Sequence, residues 1–264
     1  MLLVVDIGNT NIVWGVYHDR TLAAHWRLAT DVKKTSDEYG ILFASLLTTA
    51  TGDFPHRLSG AILSSVVPAL TGTFETMIEQ YFHQHPAIVT SDMDTGLTLR
   101  YANPKEIGSD RLVNAAAAYH KYRRDLIVVD FGTATTFCAI TVEGHYLGGV
   151  IAPGLGISAE ALFTRAAKLA KVELIRPKTV IGTDTAGSIQ SGLVFGYAGL
   201  VDTVVRRMEQ ELGRSAYVIG TGGLSSILAA ETSSIQKLEP FLTLEGLELL
   251  YRRSRGDALP GLFV

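Results

Sequence analysis

Leu2-Leu3-Val4-Val5-Asp6-Ile7-Gly8 and Leu126-Ile127-Val128-Val129-Asp130-Phe131-Gly132 carry one pattern twice. In each copy an apolar run leads into Asp-x-Gly, and a Thr-containing turn comes next: Asn9-Thr10 in the first, Thr133-Ala134-Thr135 in the second. An unbroken apolar run of this length suits a strand buried on both faces. The downstream layout matches as well. Residues 12–17, a turn at His18-Asp19-Arg20 and residues 22–28 read as a strand, turn and return strand. Residues 135–142, a turn at Glu143-Gly144 and residues 146–151 read the same way. The copies begin at Leu2 and Leu126 of 264 residues, so duplication of one α/β unit accounts for both the strings and their matching downstream hairpins.

Helices are expected after each copy. Thr35-Ser36-Asp37-Glu38 is a capping box opening an apolar segment through Leu47. Pro68 suits the first turn of a helix to about Phe82, and Ser109 or Asp110 can cap a helix through Tyr122. Residues 154–169 and 188–212 are expected helical, 216–219 a strand, and a helix is expected from Leu224. The expected fold class is α/β: two duplicated domains, 1–124 and 125–264, each with a mixed sheet, and a cleft between them.

Composition excludes several classes. The chain is 47% hydrophobic and 19% charged, as in ordinary globular proteins, with a formal charge of −3. That balance gives no electrostatic reason to bind nucleic acid. Lys121-Tyr122-Arg123-Arg124 and Arg252-Arg253-Ser254-Arg255 read as solvated surface. The single cysteine, Cys138, sits in an apolar stretch and reads as a small buried hydrophobe. His83-Gln84-His85 lacks a nearby third ligand, which argues against a metal there. The N-terminus has no basic leader, and no apolar run reaches the roughly 18 residues of a membrane span. A cytoplasmic protein that touches neither membrane nor nucleic acid is the expectation.

The chain contains no Gly-Lys pair and so no P-loop of the Walker type. Gly154-Leu155-Gly156 resembles a dinucleotide turn, but no βαβ unit precedes it, and a tight turn into a helix explains it as well. Asp6-Ile7-Gly8-Asn9-Thr10-Asn11 sets a carboxylate at a strand end before a glycine turn with hydroxyl and amide side chains. Glycine lets backbone amides approach phosphate oxygens. A carboxylate there repels polyphosphate unless a cation intervenes, so Asp6 points to Mg²⁺ held through water. Asp130-Phe131-Gly132-Thr133 and Thr221-Gly222-Gly223 supply two more such turns. Each alone reads equally as a hairpin turn. Three in a duplicated α/β chain point to a nucleotide.

These paired Asp-x-Gly hairpins resemble the actin-like ATPase (ribonuclease H-like) superfamily. Within it, the chain resembles the type III pantothenate kinase family on motifs spread over most of its length. The motifs are Asp6-Ile7-Gly8-Asn9-Thr10-Asn11, Tyr101 with Pro104, Gly108-Ser109-Asp110-Arg111, Asp130-Phe131-Gly132-Thr133-Ala134-Thr135, Gly148-Gly149-Val150-Ile151-Ala152-Pro153-Gly154, and Thr185 with Ser188-Ile189-Gln190-Ser191-Gly192. The stretch from Glu231 carries little of the match. The resemblance implies transfer of the ATP γ-phosphate to the primary hydroxyl of pantothenate, the first step towards coenzyme A. It implies that Asp6, Ile7, Gly8, Asn9, Thr10, Asn11, Ile12 and Val13, with Thr133, hold ATP and Mg²⁺. Asp110 is implied as general base. Tyr101, Gly108, Ser109, Asp110, Arg111 and Thr185 are implied to hold pantothenate. Asp130 is implied to bind a monovalent cation, K⁺ or NH₄⁺. A homodimer with a shared active site is implied, Thr185 entering the neighbour's pocket.

Read from the residues alone, Asp110-Arg111 at a helix start suits either a helix cap or a base beside a positive charge. Tyr101 alone is a core or surface aromatic. Gly192, Gly196 and Gly199 recur at helical spacing, and each costs roughly 1 kcal/mol against alanine in a helix. They imply close packing, against the chain's own core or against another chain. Two further readings stay open: an actin-like kinase acting on a sugar, and a non-catalytic ATP-binding accessory of transcription.

Overall fold

The computed structural model of the chain describes residues 1–51, 58–166, 169 and 171–257. In chain order its elements are β1 (Leu2–Ile7), β2 (Asn11–His18), β3 (Thr21–Ala29), α1 (Ser36–Thr51), β4 (Gly60–Ser65), α2 (Pro68–Phe82), β5 (Ala87–Ile88) and β6 (Thr98–Leu99). A 3₁₀ turn at Pro104–Glu106 precedes α3 (Ser109–Tyr122). Then come β7 (Leu126–Phe131), β8 (Ala134–Ile140), β9 (His145–Pro153), α4 (Leu155–Arg165), α5 (Thr185–Leu212), β10 (Tyr217–Thr221), α6 (Ser225–Ala229), β11 (Lys237–Leu238) and α7 (Leu242–Ser254).

The two sheets share one topology. Their orders are β3-β2-β1-β4-β5 and β11-β10-β7-β8-β9-β6, so the second is the first with β6 added outside β9. In each, three antiparallel strands come first, and the next strand pairs parallel with the first. The correspondence extends to the irregularities. Pairing stops at Ile7↔Ile12 in one hairpin and at Phe131↔Thr135 in the other, one residue closer. Once that residue is allowed for, the bulge between Val16 and Tyr17 and the bulge between Ala139 and Ile140 fall at the same place. Bulges re-aim a strand and behave as designed features, so a shared one supports duplication.

The backbone forms two compact units: Met1–Leu97, Ala102–Lys121 and Leu242–Val264 in one, Thr98–Tyr101 and Tyr122–Phe241 in the other. Two stretches thus lie outside the expected halves 1–124 and 125–264. Strand β6, just before Tyr101, pairs with β9. Helix α7 packs on the first sheet, where Leu244, Leu247 and Leu250 meet Leu2, Val4 and Ile62. The alternate residues Leu3, Val5 and Ile7 face the other way, into a core with Trp14, Phe43 and Phe74. Strand β1 is therefore covered on both faces, as its unbroken apolar run requires. In the second unit Ile127, Val129 and Phe131 pack against Tyr197, Val201 and Val205 of α5.

Local chemistry sets the helix ends. The Thr35 N–H donates to Glu38 Oε2 at 2.8 Å, and the Glu38 N–H donates to Thr35 Oγ1 at 3.3 Å, a reciprocal capping box. Helix α5 starts at Thr185 rather than 188, because Asp184 caps it by accepting the Gly187 N–H at 2.7 Å. Helix α4 ends at Arg165, short of the expected 169; residues 167 and 168 lie outside the described residues. Strand β10 runs to Thr221, and the helix expected from Leu224 is the short α6. By length and composition alone α5 could cross a membrane. Its Val194, Tyr197, Ala198, Val201 and Val205 are buried, as in the core helix of a folded domain. In the two basic runs Arg253 pairs with Asp94 at 2.7 Å, Lys121 with Glu245 at 3.3 Å and Arg252 with Glu248, and Arg124 lies over the Tyr217 ring.

Candidate active site

The first Asp-x-Gly turn joins β1 to β2. The Gly8 N–H donates to Asn11 O at 3.0 Å. From outside the turn, Thr30 Oγ1 donates to Gly8 O at 2.6 Å and the Thr30 N–H to Thr10 O at 3.0 Å. The pinned turn leaves Asn9 and Thr10 exposed and Asn11 half-buried. Ile7 and Ile12 are fully buried in the core. Of the residues expected to meet ATP, these two can therefore offer only backbone.

The parallel register of β1 and β4 sets Asp6 beside Ser64. Ser64 is fully buried, and its hydroxyl donates to Asp6 Oδ1 at 2.8 Å. On its other side it meets Ser109 Oγ at 3.0 Å. Ser109 Oγ also accepts the Ser65 N–H at 3.1 Å and lies 3.1 Å from Ser65 O. Ser109 thus uses its hydroxyl to dock the start of α3 on the end of β4. Next on α3, Asp110 Oδ1 accepts the Arg111 N–H at 2.7 Å. Burial pushes the Asp110 carboxyl above the ordinary carboxylate range, although that bond and the Arg111 charge act the other way. Arg111 is only 6% exposed, a buried cation beside the carboxylate. Gly108 makes room for this arrangement: a Cβ there would lie 2.5 Å from Asp110 Oδ1.

The second Asp-x-Gly turn lies in the other unit. The Gly132 N–H donates to Ala134 O at 3.1 Å, and the Gly154 N–H to Thr133 O at 3.0 Å. A Cβ at Gly154 would stand 2.2 Å from Thr133 O, so only glycine lets the start of α4 lie on this turn. The register of β7 and β10 sets Asp130 beside Thr221. Gly222 comes next with φ +92°, and a Cβ there would lie 2.4 Å from Asp130 Oδ1. Tyr197 of α5 donates to Pro153 O and meets the Thr135 hydroxyl at 3.0 Å; burial pushes its phenol up. Tyr101 lies against Gly148, whose Cβ would be 3.2 Å from the ring. Thr185, the first residue of α5, lines an open groove of about 610 Å³ with Leu162, Asp184 and Ser188.

The expected residues thus gather in two places. Asp6, the turn after it and Gly108 to Arg111 share the first unit; Tyr101, Asp130, Thr133 and Thr185 share the second. Ser64, Tyr197 and the contact of Gly222 with Asp130 are not evident from the sequence. Ser64 carries a signal there, a serine closing the apolar strand that ends before Val66-Val67-Pro68. Among the described residues no cluster of three or more His, Cys, Asp or Glu could hold a metal. The donor set instead offers single carboxylates at strand ends. A hard oxygen of this kind suits Mg²⁺, which keeps most of its water and phosphate ligands. At Asp130, glycine at 222 lets the turn after β10 lie directly against the carboxylate, where any other side chain would clash.

A family model described as type III pantothenate kinase matches residues 2–207. A type III pantothenate kinase of Geobacter sulfurreducens is 51% identical over 255 residues, 97% of this chain and 100% of that one. One of Roseiflexus sp. is also 51% identical over the same shares. Among solved structures, a protein from Sinorhizobium meliloti described as a 2-dehydro-3-deoxygalactonokinase aligns over 100% of both chains, with a TM-score of 0.60 at 13% identity. A Baf family protein from Campylobacter jejuni, described as a transcriptional activator, aligns over 96% of this chain and 99% of that one, with a TM-score of 0.58 at 17% identity. At such identities these two speak for the fold, which is that of duplicated actin-like ATPase units.

Proposed function

The chain belongs to the type III pantothenate kinase family, and from that premise we propose how its own residues carry the reaction. It uses ATP to phosphorylate pantothenate, the first step of coenzyme A biosynthesis. The pantothenate primary hydroxyl attacks the γ-phosphorus, ADP leaves, and the hydroxyl proton passes to Asp110, giving 4′-phosphopantothenate. The observation that carries this assignment is the position of Asp110. Its carboxyl stands at the first turn of α3, raised by burial yet beside a buried Arg111, in the same unit as the Asp6 turn. The raised carboxyl is a better proton acceptor, and Arg111 offsets the charge of the transferring group.

Asp6 and the backbone of residues 7–13, with Thr133, hold the ATP phosphates. When bound, Mg²⁺ neutralises charge that develops on those phosphates. Tyr101, Gly108, Ser109, Arg111 and Thr185 hold pantothenate. Asp130 holds a monovalent cation, K⁺ or NH₄⁺. The enzyme works in the cytoplasm as a homodimer, binding neither membrane nor nucleic acid. The dimer reading draws support from α5: a Cβ at Gly192, Gly196 or Gly199 would meet nothing within 4 Å. The glycines therefore do not serve the chain's own core, and a side-chain-free helix face of this kind suits close packing by a second copy.

ADP release with MgATP and K⁺ should be seen with pantothenate and not with sugars. Turnover only with a sugar would reject the substrate, and turnover with none would favour a binding accessory. Two further outcomes are expected. Activity in Na⁺ alone should fall on the order of tenfold below that in K⁺ or NH₄⁺, the weight of one lost charge contact. Equal rates would remove the cation, and Asp130→Asn titrating K⁺ normally would remove Asp130 as its ligand. Gly108→Ala should lower kcat roughly 10²-fold by displacing the Asp110 carboxylate, with the fold retained. Unchanged turnover in that variant would show that Asp110 need not sit where it does.

A further inference from the structure

We propose that Ser64 is a positioning residue of the phosphate site, holding the Asp6 carboxylate in one orientation and tying it to the start of α3 through Ser109. The proposal rests on the kinase reading above. The Ser64 hydroxyl meets Asp6 and Ser109, so its action runs through those two residues.

Burying a hydroxyl is unfavourable unless it is hydrogen-bonded. Ser64 is fully buried and comes after Ile62 and Leu63, where an apolar side chain would pack without that demand. Its hydroxyl has two partners. The proton goes to Asp6 Oδ1 at 2.8 Å, and Ser109 Oγ lies 3.0 Å away. Ser64 gives its single proton to Asp6, and the single Ser109 proton has two acceptors in reach, Ser64 Oγ at 3.0 Å and Ser65 O at 3.1 Å. The bond to Asp6 is charge-assisted and so stronger than a neutral one. It favours one rotation of the carboxylate and thereby biases where its other oxygen points. Three elements meet at this one hydroxyl: β1 through Asp6, β4 through Ser64 and α3 through Ser109. The residue before Asp110 thus lies within hydrogen-bond reach of the hydroxyl that donates to the carboxylate assigned to the metal–phosphate side.

The consequences of removing the hydroxyl are unequal. Ser109 keeps its contacts with the Ser65 N–H and carbonyl, so α3 stays docked. Asp6 loses the Ser64 donor. The defect should therefore fall on metal-dependent nucleotide binding, and general damage to the fold would show differently.

The test measures nucleotide affinity by calorimetry for wild type, Ser64→Ala, Asp6→Ala and the double variant, with Mg²⁺ and with chelator. Ser64→Ala should bind MgATP roughly tenfold more weakly. Its affinity for metal-free ATP and its KM for pantothenate should stay within about twofold of wild type. In the Asp6→Ala background, Ser64→Ala should change MgATP affinity by less than about twofold, since the partner is already gone. Ser64→Cys keeps the volume with a weak donor and should show the same metal-specific defect, which covers the case where the alanine variant fails to fold. Wild-type MgATP affinity in Ser64→Ala, an equal loss with and without metal, or full additivity with Asp6→Ala would each overturn the proposal. A wild-type protein that binds MgATP but does not phosphorylate pantothenate would overturn the kinase reading instead, leaving the Ser64 measurement intact.

Discussion

Asp110→Asn should lower kcat by roughly 10²–10⁴, the span expected when a general base is removed. Loose phosphoryl-transfer transition states depend chiefly on positioning, which favours the lower end. Asparagine keeps the size and can still accept the Arg111 N–H, so MgATP affinity should survive. The raised carboxyl adds a pH signature. The base must be deprotonated, so the rate should fall on acidification at a pH above the ordinary carboxylate range, and the variant should lose that limb. Stability should move the other way. A group whose folded pKa is raised binds protons more readily in the folded state, so folding is favoured as pH falls through that value and disfavoured above it. At neutral pH the Asn variant should melt no lower than wild type. Near-normal turnover, or an unchanged acid limb, would remove Asp110 from the chemistry.

Mixing inactive Asp110→Asn chains with inactive Thr185→Arg chains should restore activity, to about half the wild-type value per mixed dimer. If Thr185 serves the neighbour's pocket, the mixed dimer has one site with both lesions and one with neither. If Thr185 serves its own chain, every site carries one lesion. Arginine is chosen because Thr185 is exposed on a groove, where a long cation obstructs the site without entering the core. A silent mixture, with subunit exchange verified, sinks the shared site, and so does a monomer at working concentration.

The parts of this molecule that are legible in sequence depend on neighbours in the chain. The two Asp-x-Gly strings announce a buried strand and a turn, and their repetition announces the second unit. The start of α2 and the capping box of α1 are set by Pro68, Thr35 and Glu38. The parts that are not legible depend on register. Nothing local says that Ser64 faces Asp6; that emerges only once β4 pairs parallel with β1. The α5 glycines show a spacing but not which way they face. Helix α7 has leucines at helical intervals, and they do not name the sheet it covers. The start of α5 has a local signal that the apolar spacing alone does not use, since Asp184 stands where a cap would.

The lateness of α7 in the chain shapes how the protein is born. Leu244, Leu247 and Leu250 cover the face of β1 that Leu2 and Val4 present. On a ribosome adding about 5–20 residues per second, that face waits roughly 10–50 s for its cover. The second unit draws its residues from Thr98–Tyr101 and Tyr122–Phe241, so it can close before the first has all its parts. Assembly thus runs against the direction of synthesis, with the first strand made among the last to be sheltered. A nascent chain interrupted before Leu242 has only Val113, Ala116 and the segment around Val89 over that sheet face, and the apolar surface left open is an invitation to chaperones and to its own neighbours on the polysome.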